Sequence, residues 1–339
     1  MSTIKDVAKE AGVSISTVSK IINNSNYGLP KTRIKVMEAI KKLGYQPNSI
    51  ARSMVDGKTK MIAIVIPDIR NPFFTAVARG VEDVANKYNY RVLFCNTDEE
   101  LAKQQNYINV FKSRIVDGFI LAAASEKDPS LAEVDTNILP YVLIDRKISS
   151  VSADVVVVDN KNGAYKAVNH LLKLGYRRIG LITGKRNTLT GHERLQGYID
   201  AHQESGVDID NNLIQDGGFT IKGGYEATKK ILNITKTPDA LFISNNSMTI
   251  GCLKALSEFK IKICEDMAII GFDDSDWAEF VVPPLTVIRQ PTYTMGTIAG
   301  EMLFQKLSGC DSTEKKEIIL NPELIVRESC GAKKRDLKI

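Results

Sequence analysis

Residues 3–24 read TIKDVAKEAGVSISTVSKIINN, and this stretch decides the character of the N-terminal end of the chain. Thr3 is placed to cap a helix that starts at Ile4, with Ile4, Val7, Ala8 and Ala11 on one face at helical spacing. Gly12-Val13 interrupts that helix. Ser14 then caps a second helix, from about Ile15 to Asn23, whose buried stripe is Val18 with Ile21 and Ile22. Two short helices joined by a turn of about three residues containing Gly form the helix-turn-helix pattern. A third helix is expected from Pro30, a good first-turn residue, to Leu43, with Ile34, Met37, Ile40 and Leu43 as its apolar face and Gly44 as its C-cap. The same pattern also suits a three-helix bundle that binds nothing.

Charge favours nucleic acid. Residues 1–60 hold 11 Lys/Arg against 4 Asp/Glu, a surplus of +7, so the remaining 279 residues of the 339 sum to −2 and the chain to +5. A basic module on a near-neutral body is the footprint of a contact made by one end of the molecule. The second helix would present Ser16, Thr17, Ser19, Lys20 and Asn23, short hydrogen-bonding groups suited to base edges and phosphates.

Composition removes several other classes. An apolar fraction of 43% with 25% charged residues is that of an ordinary globular chain, and the length fits about two domains. No run approaches the ~20 apolar residues of a membrane span. The start, MSTIKDVAKEAG, has no continuous apolar segment and does not fit a secretory signal, which suggests a cytoplasmic protein. Cys95, Cys252, Cys264, Cys310 and Cys330 show no C-x-x-C spacing and read as buried or incidental thiols, not as a disulfide frame or a zinc site. His170, His192 and His202 form no metal motif, and no cofactor is implied. Gly57-Lys58-Thr59 ends like a phosphate loop, but Arg52 stands where its first glycine belongs. No familiar catalytic motif is present, and the chain is not expected to be an enzyme.

The stretch 3–24, followed by TRIKVMEAIKKLGYQPNSIARSM at 32–54, closely resembles the lactose/galactose-repressor family of bacterial transcription regulators, and the resemblance continues through the whole chain. It implies a helix-turn-helix domain over residues 1–48, a hinge helix and linker over 49–59, and an effector-binding and dimerisation body over 60–339. It also implies that Ile15, Ser16 and Lys20 read the major groove, within a DNA-contact set of Thr3, Ser14, Ile15, Ser16, Thr17, Ser19, Lys20, Asn23, Ala51 and Met54. Met54 matches the family's minor-groove wedge, although Val55 replaces the usual basic neighbour; a plain linker is the other reading of 49–58.

From residue 60 onward, short β-branched runs alternate with amphipathic segments. Strands are expected at Met61–Ile66, Val92–Asn96, Gly118–Leu121, Tyr141–Ile144, Val155–Val158, Ile179–Ile182, Ala240–Ser244, Ala268–Phe272 and Leu285–Ile288. Helices are expected at Phe73–Tyr88, Glu99–Arg114, Gly163–Leu174, Gly191–Ser205, Gly223–Leu232, Ser247–Phe259 and Thr292–Leu307. Such alternation indicates an α/β body of parallel sheets covered on both faces, divided into two lobes.

Ligands of such sheets lie beyond the carboxyl ends of the strands, and polar residues gather there. Asp68, Asp159-Asn160 and Asn245-Asn246 are among them, although each alone is also an ordinary turn former. Taken together they resemble the pocket of the ribose-binding periplasmic proteins, with a two-lobed body of that type. By that resemblance the effector site consists of Asn71, Phe73, Phe74, Asp145, Arg146, Thr190, Arg194, Phe219, Asn245, Asp273 and Gln290. Planar polar side chains bind vicinal hydroxyls in pairs, and aromatic rings cover the C–H faces of a sugar. Asn246 departs from the family's usual Asp, and Trp277 either closes the pocket edge or belongs to the core. The lobes would be about 60–159 with 291–320, and about 160–289 with 321–331, ahead of a basic tail at 332–339.

The expected function is a homodimeric repressor on a palindromic operator, switched by a small sugar. Ribose or another pentose leads, and a hexose or sugar acid is the alternative. A transport-type sugar-binding protein and a regulator corepressed by a partner protein are the competing readings.

Overall fold

The computed structural model describes residues 2–23, 27–46, 57–186, 188–309 and 314–332. The expected hinge helix with Ala51 and Met54, the side chain of Asn23, Cys310 and the tail beyond residue 332 lie outside the described residues. The chain forms two units, residues 1–59 and 60–339.

In the first unit, α1 (Ile4–Ala11), α2 (Ile15–Asn23) and α3 (Pro30–Leu43) enclose a small core of Val7, Ala8, Ala11, Val18, Ile21, Val36 and Ala39. Thr3 caps α1 in a reciprocal box with Asp6, and Gly12 ends it in the left-handed conformation at φ 65°. Hydrogen bonds to Thr3 hold the Asp6 carboxyl below the usual carboxylate range. The expected face of α3 is wrong in half its members. Val36 and Ala39 are buried, whereas Ile34 and Met37 are 57% and 55% exposed. A strict three-residue spacing drifts around the helix; packing against α1 selects the face one step over, and small Ala39 suits the close approach.

The second unit contains two six-stranded sheets. Strands β1 (Met61–Ile66), β2 (Arg91–Asn96), β3 (Gly118–Leu121), β4 (Tyr141–Ile144), β5 (Val155–Val158) and β11 (Glu317–Leu320) form the first, in the order β11-β5-β4-β3-β1-β2 and parallel throughout. Strands β6 (Ile179–Thr183), β7 (Ile214–Asp216), β8 (Ala240–Ile243), β9 (Ala268–Phe272), β10 (Thr286–Arg289) and β12 (Glu323–Ile325) form the second, in the order β12-β10-β9-β8-β6-β7. Only β12 among these runs antiparallel, against β10. The chain therefore passes between lobes after Val158, after Arg289 and after Leu320. The sequence reading lacked β7, β11 and β12, which are short and half-exposed.

Helices cover both faces of each sheet. In the first lobe α4 (Pro72–Lys87) and α10 (Thr292–Leu307) pack on one side through Val77, Val81, Met295 and Ala299, and α5 (Leu101–Phe111) packs on the other through Ile108 and Phe111. In the second lobe α6 (Asn160–Lys173) and α7 (Leu189–Ser205) cover one face, with α8 (Ile221–Leu232) and α9 (Asn246–Glu258) on the other. The central strands are apolar at every position because both faces are covered, which is why they read as continuous β-branched runs. Helices α4 and α10 meet backbone to backbone. A Cβ on Gly296 would stand 2.0 Å from the carbonyl oxygen of Val77, and one on Gly80 would stand 2.4 Å from that of Tyr293.

Among the described residues no helix is long and apolar enough to cross a membrane, and no cluster of three potential metal ligands occurs. Cys95, Cys252 and Cys330 are buried thiols and Cys264 is half-buried; all are unbridged.

Candidate functional site

Strand ends build the main site. In each lobe the chain leaves a strand at its carboxyl end and turns directly into a helix or loop, so short polar residues there face the cleft between the two sheets. Asn71 follows β1 and caps α4, its Oδ1 accepting from Phe73 N at 3.0 Å. Asn245 follows β8 and caps α9, its Oδ1 accepting from Met248 N at 2.8 Å. Asp145 after β4 and Asp273 after β9 sit in the left-handed region at φ 67° and 80°, as does Phe219 at 62° ahead of α8. Non-glycine residues rarely adopt this conformation, and at binding clefts it commonly serves to aim a side chain.

All eleven residues expected at the effector site line one cleft of about 140 Å³. That volume lies below the ~300 Å³ at which pockets for drug-sized ligands begin. Phe73 and Phe74 contribute two rings set edge to face, with centroids 4.9 Å apart. Phe219 lies across from them in sequence and lobe, 5.7 Å from the guanidinium of Arg146. Arg194 stacks on Phe272 at 3.7 Å while its Nε donates to Asn160 Oδ1 at 2.8 Å and its Nη1 to Ser244 O at 2.6 Å. Gln290 Nε2 donates to Asp273 Oδ1 at 2.5 Å. Burial raises the Asp145 carboxyl above the ordinary carboxylate range, opposed by Arg146 and Arg194. Burial likewise lowers the Arg194 guanidinium, partly offset by Asp273 and Asp145.

Other residues singled out from the sequence take supporting places. Asn160 lies beneath Arg194 and also donates to Glu193 Oε2 at 3.1 Å, while Asp159 caps α6. Asp68 is paired with Arg70 at the rim. Asn246 spans the lobes: its Nδ2 donates to Asn71 Oδ1 at 3.0 Å, and its backbone N–H to Asp273 Oδ2 at 3.2 Å. Trp277 does not line the cleft; it packs on the apolar cluster beneath α8 and α9. Among the lining residues outside the expected set is Glu99. It binds both terminal nitrogens of Arg146 at 2.8 Å. The signal was available, because Asp98-Glu99 follow strand β2 just as the other site residues follow theirs.

In the first unit, the residues expected to meet DNA lie around the start and outer face of α2. Ser14, Ile15, Ser16 and Lys20 are exposed, and Thr17 and Ser19 are half-buried. Ser14 Oγ lies 2.8 Å from both Ser16 Oγ and Thr17 Oγ1 and accepts from Thr17 N at 3.1 Å. Thr3, also exposed, is occupied with its cap. Lys20 lies 5.1 Å from the ring centroid of Tyr27, a neighbour not anticipated from the sequence.

Comparison with known proteins bears on both units. Residues 3–48 match the model of bacterial regulatory proteins of the lacI family, and residues 168–330 match a periplasmic binding protein-like domain. The HTH-type transcriptional regulator RegA of Clostridium saccharobutylicum is 36% identical over 329 residues, spanning 97% of this chain and 99% of its own. The ribose operon repressor of Halalkalibacterium halodurans is 35% identical over 334 residues, 97% of each chain. A solved LacI family transcriptional regulator from Enterococcus faecium, with bound ribose, is 30% identical with a TM-score of 0.73, covering 79% of this chain and 98% of that one.

Proposed function

The chain belongs to the lacI family of bacterial regulatory proteins, and on that premise we propose that it is a cytoplasmic, homodimeric repressor whose operator affinity is set by a monosaccharide, with ribose the leading effector. Members with this domain pair are DNA-binding transcription regulators and not enzymes. The single observation that carries the sugar assignment is the cleft: planar amides, carboxylates and guanidinium groups converge on it together with Phe73, Phe74 and Phe219. Two similar proteins support ribose in particular, one named a ribose operon repressor and one solved with ribose bound.

The first unit makes the DNA contact in this reading. Lys20, Ser16 and Ile15 face outward from α2 for base edges, and the basic surplus of residues 1–60 neutralises phosphates. One small module contacts too few phosphates for tight specific binding, so a dimer on a palindromic site is required. Sugar acts by its differential affinity for two arrangements of the lobes, because a ligand that binds both equally shifts nothing.

The test is fluorescence anisotropy of the full chain on palindromic duplexes, with and without a panel of monosaccharides. A salt-sensitive preference for one palindrome over random DNA of equal length, altered by ribose, is expected. Equal affinity for random DNA refutes the regulator reading, and no response to any pentose removes ribose.

A further inference from the structure

Glu99 lies outside the set of residues carried over from the resemblance, yet it determines what Arg146 can offer a ligand. Arg146 Nη1 donates to Glu99 Oε2 and Nη2 to Glu99 Oε1, each at 2.8 Å. This two-point pairing is the one an arginine uses to grip a carboxylate. Nη1 also donates to Ala123 O at 2.9 Å. Of the five N–H groups of a guanidinium, one on Nη2 and the one on Nε remain; Nε is buried, lacks a hydrogen-bond partner and stands 3.4 Å from Asp145 Oδ2, so Arg146 meets a carboxylate on both edges. Arg194 has committed its Nε and Nη1 to Asn160 and Ser244. At the rim Arg70 is paired with Asp68, and Asp98 with Lys103.

A second buried group lacks a partner here. Gln290 Oε1 accepts nothing, while the amide nitrogen of the same side chain is held by Asp273. The cleft therefore sets three carboxylates (Asp145, Asp273 and Glu99) against two guanidinium groups, Arg146 and Arg194. A hydroxyl both donates and accepts and carries no charge, so a polyol can pair with these carboxylates and amides without adding to the negative surplus. An ionised carboxylate only accepts. It would bring a fourth negative charge beside two cations already engaged. The backbone holds Glu99 in position at some cost: Asp98 and Glu99 are both left-handed, at φ 53° and 60°.

Resting on the reading of the cleft as a monosaccharide site, we propose that Glu99 is the specificity-determining residue that restricts the effector to neutral sugars. By occupying the end-on edge of Arg146 and neutralising its charge, it weakens the grip of the site on a sugar acid. Specificity of this kind comes from a repulsive element as much as from an attractive one.

Isothermal titration of the full chain tests this with D-ribose, D-glucose and D-galactose against D-ribonate, D-glucuronate and D-galacturonate. The parent protein is expected to bind its best neutral sugar at least about 100-fold more tightly than any of the acids. Glu99→Ala frees the end-on edge of Arg146, Glu99→Gln removes the competing charge, and both should narrow that ratio by about tenfold or more. A parent protein that binds any acid as tightly as its best neutral sugar overturns the proposal without needing a variant. So do variants that still bind the neutral sugar with an unchanged ratio. Silence from all six probes overturns the sugar reading of the cleft itself. That result is distinct from acid binding, which leaves the sugar reading standing and removes only the role given to Glu99.

Discussion

Replacing Arg194 by Met separates the ligand site from the fold. The substitution keeps roughly the length and volume of the side chain but deletes its charge and its donors. Asn160 Oδ1 and Ser244 O, which now accept from Arg194 at 2.8 and 2.6 Å, lose those bonds in a buried setting. Each buried acceptor left unsatisfied costs about 1–3 kcal/mol. The guanidinium stacked on Phe272 at 3.7 Å adds about 1–2 kcal/mol for a desolvated cation over a ring. Against this stands relief from burying a charge, a real cost because burial lowers the Arg194 pKa. The balance is a loss of about 3 kcal/mol in the stability of the body. For a unit of this size that corresponds to melting about 6–9 °C lower, at ~2–3 °C per kcal/mol. Calorimetry of the full chain measures the melting, titration measures sugar binding, and anisotropy measures operator binding. Sugar affinity should fall by at least about 100-fold, or ~2.7 kcal/mol, while operator affinity stays within about twofold of the parent. Unchanged melting would refute the stability ledger, and unchanged sugar affinity the ligand role. Loss of operator binding at an unchanged melting temperature would move Arg194 from ligand contact to coupling.

Three further outcomes follow from other parts of the molecule. Asn246→Asp replaces the amide that donates to Asn71 Oδ1 by a carboxylate close to Asp273. Sugar should then dissociate about tenfold faster by stopped flow, and an unchanged rate would show that the cross-lobe bond has no part in holding the cleft closed. Lys20→Ala should weaken operator binding by about 1–3 kcal/mol with little effect on random DNA; equal losses on both would make Lys20 a phosphate contact. His170 and His202 are held below the ordinary histidine pKa, chiefly by burial. A lowered folded pKa supplies stability that is present above pH ~6.5 and lost as pH falls through the folded value. The melting temperature should therefore drop below pH ~6.5, and His202→Gln should flatten that slope; a slope identical in parent and variant would exclude His202 as its source.

The legible part of this fold was the part with a strong period. Pro72–Lys87 carries its apolar residues on one stripe, and its bounds lie one residue from the expected Phe73–Tyr88. The interior strands were legible for a different reason: burial on both faces leaves them without a polar residue to confuse the reading. Edge strands gave no such signal. Ile214–Asp216 and Glu323–Ile325 are three residues each, mixed in polarity, and become strands only because a neighbouring strand is there to pair with them. In α3 the apolar residues outnumber the positions available in a small core, so Ile34 and Met37 could not be told from Val36 and Ala39 without knowing where α1 lies. The cleft shows the same division. Asn71, Asn245 and Asp273 announce themselves as polar groups at strand ends. Glu99 was assigned to the start of a helix, where an acid is commonplace; its partner Arg146 is 47 residues away in sequence.

The contact between α4 and α10 has a mechanical consequence. Where Gly80 and Gly296 bring two backbones together there is no layer of side chains to shear, so the pair is a stiff beam and not a sliding joint. A force applied at the cleft is then not absorbed within the first lobe but carried along its full length. Compliance is left to the short connections where the chain changes lobes, after Val158, Arg289 and Leu320. Substitutions that uncouple sugar from DNA without weakening either should cluster in those connections, far from every atom that touches a ligand.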